Sequence, residues 1–210
     1  GIVMKTYDIV LEFTEDMLAS SPADPEVYAR FIASRAVESK AEETPNTADE
    51  VEGLPPVDER GSWSVFHRNG DGIYVFDYKV RGFLKEAAAA VTGRTGLTAY
   101  KSKIDRWLFV LPRRIYMTNG VGQIIAEPQG ALERPIRAMT MQGPRVSVKR
   151  SDLVREGARM SFRLVVLPLG ERELTRERIG SWFDYGQWTG MGEWRTGSYG
   201  RFKVVSFEDA

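Results

Sequence analysis

Residues 186–207 read GQWTGMGEWRTGSYGRFKVVSF. Glycines stand at 186, 190, 192, 197 and 200, and Trp188, Trp194, Arg195, Tyr199 and Arg201 are set among and just after them. Residues 202–207 carry the β-branched and aromatic content of a strand. Ahead of the loop, Thr175 is placed to cap a helix over 176–185, where Ile179, Trp182 and Phe183 recur at helical spacing. Helix, glycine loop, strand is the reverse of a dinucleotide-binding turn, and no Gly-Lys-Ser/Thr ending of a Walker loop follows. Two readings of the loop compete. In one, glycines bring backbone amides close to phosphates, aromatics stack on bases and arginines neutralise charge. In the other, the stretch is a compact turn whose aromatics pack into the core.

Working outward, residues 161–167 (SFRLVVL) form a strong strand, preceded by a bend at Gly157. Residues 146–149 are a short strand, and Gly143-Pro144 is turn chemistry. The segment 134–141 (RPIRAMTM) alternates two faces and reads as extended. Residues 104–110 and 114–117 are strand-like, with Pro112 interrupting them. Residues 63–66 and 72–80 (GIYVFDYKV) are β-like, with Asn69-Gly70-Asp71-Gly72 as the turn between them. Gly82 follows, and residues 83–91 (FLKEAAAAV) are helical by composition. At the start, residues 4–13 read as a strand. Asp24-Pro25 then opens a helix over 26–36. The order of strands and helices predicts an α+β domain, an antiparallel sheet with helices on one face.

Residues 37–60 differ in character. They hold three prolines, eight acids and no aromatic. Such a composition does not bury enough apolar surface to offset the entropy of ordering, so a flexible acidic insertion within one domain over 1–210 is expected. It also explains a net charge of zero. Residues 1–60 hold 5 Lys+Arg and 14 Asp+Glu, a balance of −9, whereas residues 61–210 hold 24 and 15, a balance of +9. The larger part is therefore basic and arginine-rich, either a surface suited to phosphates or an ordinary solvated surface with ion pairs.

Composition limits the chemistry. There is no cysteine and one histidine, His67, which excludes thiolate catalysis and multi-histidine metal sites. No cofactor, no metal site and no catalytic residue is assigned. His67, Asp71 and Asp77 are the residues weighed for catalysis and set aside, Asp71 being also the natural turn residue of its Asn-Gly-Asp-Gly stretch. No apolar run of membrane-spanning length and no export-signal core is present, so no membrane partner and a cytoplasmic location are expected.

The stretch GMGEWRTGSYGRFKV (190–204) resembles the C-terminal glycine-rich loop of the RAMP superfamily of CRISPR-associated proteins. Gly190, Gly192, Arg195, Gly197, Tyr199 and Gly200 carry the match, and Ser198 stands where a further glycine is common. VRGFLKEAAAAV (80–91) is similar to the glycine-then-Leu-Lys helix start of the guide-RNA backbone subunits, carried by Arg81, Gly82, Leu84 and Lys85, with Phe83 in place of the usual Ser-Ser. RSDLVREGARMSFRLVVL (150–167) is similar to their bend–glycine–strand unit, carried by Val154, Gly157, Met160 and Phe162.

The resemblance implies a ferredoxin-like, RRM-type sheet that binds single-stranded RNA, or DNA, by shape and phosphate contacts. It also implies assembly into a homo-oligomer or a multi-subunit ribonucleoprotein. The short chain suggests a stand-alone or phage-borne relative. The residues expected to meet nucleic acid are Arg81, Lys85, Arg113, Arg114, Arg145, Lys149, Arg150, Gly190, Gly192, Trp194, Arg195, Gly197, Tyr199, Gly200 and Arg201. Lys85 is expected in the first turn of its helix, beside exposed N–H groups. Two other functions compete: an RNA-cleaving enzyme of the same fold, and an assembly, decoy or virion protein without nucleic-acid affinity.

Overall fold

The computed structural model describes residues 3–30 and 63–210. The expected insertion over 37–60, and the end of the helix expected over 26–36, lie outside the described residues.

Strand β1 (Lys5–Phe13) turns Tyr7, Ile9, Leu11 and Phe13 into the core. The intervening Asp8, Val10 and Glu12 lie on the opposite side, as period-two geometry requires. Short strands β2 (Met17–Leu18) and β3 (Ser21–Pro22) follow. Asp24 caps helix α1, described over 25–30, by accepting from the Glu26 amide at 2.8 Å. Beyond the undescribed residues come β4 (Trp63–Val65), β5 (His67–Asn69) and β6 (Gly72–Phe76). The chain then enters helix α2 (Asp77–Ala87), which a π-type turn over Ala88–Thr92 extends. Helices α3 (Gly93–Gly96) and α4 (Tyr100–Trp107) lead to β7 (Leu108–Leu111) and β8 (Arg114–Thr118). The hairpin β9 (Gly130–Thr140) and β10 (Gly143–Val154) precedes β11 (Arg159–Val166), α5 (Arg176–Asp184) and the last strand, β12 (Phe202–Asp209).

The first sheet runs β12–β1–β11–β8–β6–β5, with β7 also beside β11, and every pairing in it is antiparallel. Its centre is βαββαβ: β1, α2 to α4, β7 with β8, β11, α5, β12. The expected ferredoxin-like α+β fold is thus the fold observed, with β2 to β6 and the β9–β10 hairpin as additions. Helices α2 and α5 cover one side through Val80, Phe83, Leu84 and Ala87, and through Ile179, Trp182 and Phe183. Each of these side chains larger than alanine contributes roughly 1.5–3 kcal/mol by leaving water. Trp182 is fully buried, and its indole N–H donates to Thr92 Oγ1 at 2.8 Å, so its polar atom is satisfied too. The Thr175 hydroxyl accepts from the Arg178 amide at 3.2 Å, the cap expected for α5.

The second sheet is β2–β10–β4–β3 with β9 on β10. Its strands β10 and β4 are parallel, pairing Arg150 with Trp63 and Ser151 with Ser64.

Three local expectations are corrected. The strand expected over 72–80 ends at Phe76, and the helix begins at Asp77. Buried Val80, Phe83, Leu84, Ala87 and Ala88 recur at helical spacing through Gly82, and this burial outweighs the β-like composition of DYKV. Lys85 consequently lies in the last turn of α2 and not the first. Residues 104–107 close helix α4 instead of opening a strand, and only Leu108–Leu111 are extended. Gly143-Pro144 opens β10, and the reversal itself falls on Met141-Gln142.

Candidate nucleic-acid interface

Strand β10 pairs with β9 along eleven positions, from Gly143 opposite Thr140 to Leu153 opposite Gly130. Among the described residues, its other edge is paired at Arg150–Ser151 by β4 and at Leu153–Val154 by β2. Residues 143–149 with 134–140 therefore form a two-stranded ribbon, roughly 23 Å long at the usual rise per residue. Between 134 and 150 it carries Arg134, Arg137, Arg145, Lys149 and Arg150 and no acid. The register puts Arg145, Ser147, Lys149 and Arg134 on one face. The other face has Arg137, Met139, Val146 and Val148, with Met139 82% and Val146 64% exposed.

The glycine-rich loop meets the base of this ribbon. Its two ends are pressed together: a Cβ on Gly190 would lie 2.0 Å from the Gly200 carbonyl, and one on Gly200 (φ +75°) 1.7 Å from the Met191 oxygen. The Met191 amide donates to the Gly200 carbonyl, and the Gly200 amide to the Asp16 carbonyl. Gly192 abuts the Leu18 carbonyl and Gly197 the Trp194 ring. These glycines serve close packing, with the amides of 197 and 200 donating to backbone carbonyls. The loop's side chains are what it presents.

Trp194 adopts the left-handed conformation (φ 49°, ψ 50°) and stacks on Tyr199, with ring centroids 5.3 Å apart and planes at 26°. The Arg134 guanidinium lies 4.3 Å from the Trp194 ring centroid. Arginine, tryptophan and tyrosine from two distant stretches thus form one tower, with Trp194 38% exposed. Ser198 also has positive φ (75°), a conformation that favours glycine.

Carboxylates hold several of the expected basic residues. Lys149 pairs with Glu193, Arg195 with Glu86, and Lys85 with Asp105 at 2.5 Å. On the ribbon's other face Arg150 lies 4.3 Å over the Trp63 ring and 3.9 Å from Glu133. Trp63 Nε1 donates to Asp152 Oδ1 at 3.0 Å. Burial pushes the Asp152 carboxyl above its ordinary range, opposed by that hydrogen bond and by Arg150 and Arg68. Arg145, farther along the ribbon, donates to Gln142 at 2.6 Å.

The structure therefore gathers Lys149, Trp194, Arg195 and Tyr199, with Gly190, Gly192, Gly197 and Gly200 beneath them, and leaves Arg150 on the ribbon's other face with Trp63. Arg201 opens the approach to β12, its Nε buried. Arg81, Arg113 and Arg114 stand elsewhere, over the rings of Phe109, Phe76 and Tyr74. Arg134, Arg137, Trp63 and Glu193 are absent from the sequence-based set. The acid-free run 134–150 was the signal for the first two; the Trp63 and Glu193 contacts are long-range and leave none.

The sheet side facing away from α2 and α5 is closed by ion pairs along β1. Asp8 pairs with Arg163 at 2.8 Å, and Glu12 with Arg159 at 2.9 Å and Lys203 at 3.2 Å. These hydrogen bonds hold both carboxyls below the ordinary range. A sheet face occupied this way is unlike a base-stacking RRM surface, which moves attention to loop and ribbon.

His67 is buried among Tyr28, Tyr74 and Phe76. Among the described residues no group of three or more metal-ligating side chains is found, and no helix is long and apolar enough to cross a membrane.

No family model matches the chain, and none of the curated proteins does. Among solved structures it is similar to a chain in the cryo-EM structure of the type III-B Cmr-beta complex bound to cognate target RNA. That likeness has a TM-score of 0.50 at 10% identity. It covers 98% of this chain and 60% of the other, so the chain spans about three-fifths of that neighbour's length. The likeness is one of fold, and it agrees with the α+β, antiparallel architecture described above.

Proposed function

We propose that this protein is a non-catalytic binder of single-stranded RNA, working as one subunit of a CRISPR-like ribonucleoprotein. One observation carries the reading. The Arg134–Trp194–Tyr199 tower stands at the base of a ribbon that holds five basic residues and no acid over 134–150. Aromatic rings stack on bases whatever their identity, and the cations neutralise phosphates, so binding tolerates any sequence and depends on salt. The RNA-bound Cmr-beta neighbour supports RNA over DNA through likeness of fold. The exposed Met139, Val146 and Val148 support a second role for the ribbon in contacting further subunits.

The test is fluorescence anisotropy with a labelled 30-nucleotide single strand across a salt series. Contacts from the three cations of one face, Arg134, Arg145 and Lys149, give a log–log slope of about −2, at about 0.7 per phosphate on single strands. Absence of binding at low salt, or binding indifferent to salt, refutes the proposal. Light scattering with and without RNA reads out assembly.

A further inference from the structure

Glu193 is the loop's only carboxylate between Gly186 and Arg201, and it points at the ribbon's basic face. Its two oxygens take two different donors. Lys149 donates to Oε1, and the Ser151 hydroxyl donates to Oε2 at 2.7 Å. Ser151 is 1% exposed, so its hydroxyl is a fixed feature of the ribbon base. Across β9–β10, Arg134 is the register partner of Lys149, and its guanidinium lies over the ring of Trp194, next in sequence to Glu193. One ammonium and one hydroxyl on separate oxygens of one anion, with a guanidinium over the neighbouring ring, is a donor set that suits the two non-bridging oxygens of a phosphodiester.

We infer that Glu193 occupies a phosphate subsite: its carboxylate stands in for a backbone phosphate, and a nucleic-acid strand takes the place by displacing it. The inference rests on the RNA reading above for the identity of the strand, though not for the anion. The ion pair's surroundings fit exchange better than bracing. The Lys149 and Glu193 side chains retain 23% and 18% of their surface, so water, and a ligand, reach both. Glu193 also lies between two residues of positive φ, Gly192 (+90°) and Trp194 (49°), and its amide reaches the Leu18 carbonyl at 3.2 Å. The carboxylate thereby sets a threshold, since one phosphate must outcompete it before the ribbon base is engaged.

The test compares the native chain, Glu193→Gln, Lys149→Ala/Glu193→Gln and Ser151→Ala/Glu193→Gln. Two probes are used: a labelled 20-nucleotide oligo-uridine RNA followed by anisotropy, and inorganic tripolyphosphate followed by thermal shift. Glu193→Gln is expected to bind RNA about tenfold more tightly at low salt, a gain typical of one freed charge-assisted contact. Its salt slope stays that of the native chain, since both engage the same phosphates once the carboxylate is displaced. It also gains stabilisation by tripolyphosphate, which either double variant loses. A Glu193→Gln chain that does not fold, or that binds both probes no better than the native chain, makes Glu193 a brace and overturns the inference. If no chain binds RNA while Glu193→Gln takes up tripolyphosphate through Lys149, the RNA reading fails and the anion subsite stands.

Discussion

Replacing Trp194 by alanine removes the middle of the tower, and its effect is calculable from the structure. Trp194 is 38% exposed, so about three-fifths of its surface is covered by Tyr199, Gly197 and Arg134. An aromatic side chain buries about 150–250 Å² in full, at roughly 25 cal/mol per Å²; Trp194→Ala should therefore cost about 2–4 kcal/mol of stability. The guanidinium 4.3 Å from the ring centroid adds about 0.5–1 kcal/mol. Backbone geometry supplies an internal control. At φ 49° a non-glycine residue is strained, so Trp194→Gly should be more stable than Trp194→Ala by about 1 kcal/mol, reversing the usual order. For binding, Trp194→Ala removes the ring that positions Tyr199 and Arg134, and loss of a base stacked on Tyr199 is worth about 1–3 kcal/mol, or roughly 5- to 150-fold in RNA affinity. Urea unfolding gives the first two quantities, and RNA anisotropy on the folded variant gives the third. A Trp194→Ala chain with native stability and native RNA affinity would refute both the packing argument and the assignment of the tower to RNA.

Three further outcomes follow from the packing and the charges. Gly200→Ala places a Cβ 1.7 Å from a carbonyl oxygen at φ +75°, and should lower stability by more than about 3 kcal/mol, read as a fall in melting temperature. Thr175→Ala deletes the cap of α5 and should cost about 1 kcal/mol in urea unfolding, with RNA affinity unchanged. Asp8 and Glu12 titrate below their unfolded values, so their contribution is present above the ordinary carboxylate range and is lost as pH falls through their lowered pKa values; Asp152, raised, acts in the opposite sense. Glu12→Gln should therefore flatten the loss of stability in urea series taken from pH 6 to pH 3, and an unchanged acid limb would contradict the role of the Arg159 and Lys203 pairs.

Some of this was readable before any coordinates. The cap Thr175 and the inward set Ile179, Trp182 and Phe183 agree in one short stretch, so propensity, periodicity and burial point the same way. Helix α2 begins where they disagree: GIYVFDYKV has the composition of a strand, and only the recurrence from Val80 to Ala88 reveals the helix. The length of β10 was hidden for another reason. A strand exposed on both faces has no need of apolar alternation, so 143–149 carries no strong strand pattern. In the candidate site, Trp194, Tyr199 and Lys149 were named from local chemistry. Their arrangement depends on Arg134 and Glu193, whose contacts cross tens of residues and leave no periodic trace.

Among the described residues the ribbon is secured at one end, and this has a consequence for how such an arm can change. Residues inserted in matched pairs at Met141-Gln142 lengthen it and leave the register of Lys149 with Arg134 untouched. A single residue inserted in one strand between Gly143 and Lys149 inverts everything beyond it, turning the Arg145 side into the Val146 side. Reach is thus a freely variable property of this arm, while handedness is a matter of parity, kept by the few pairs nearest the glycine loop.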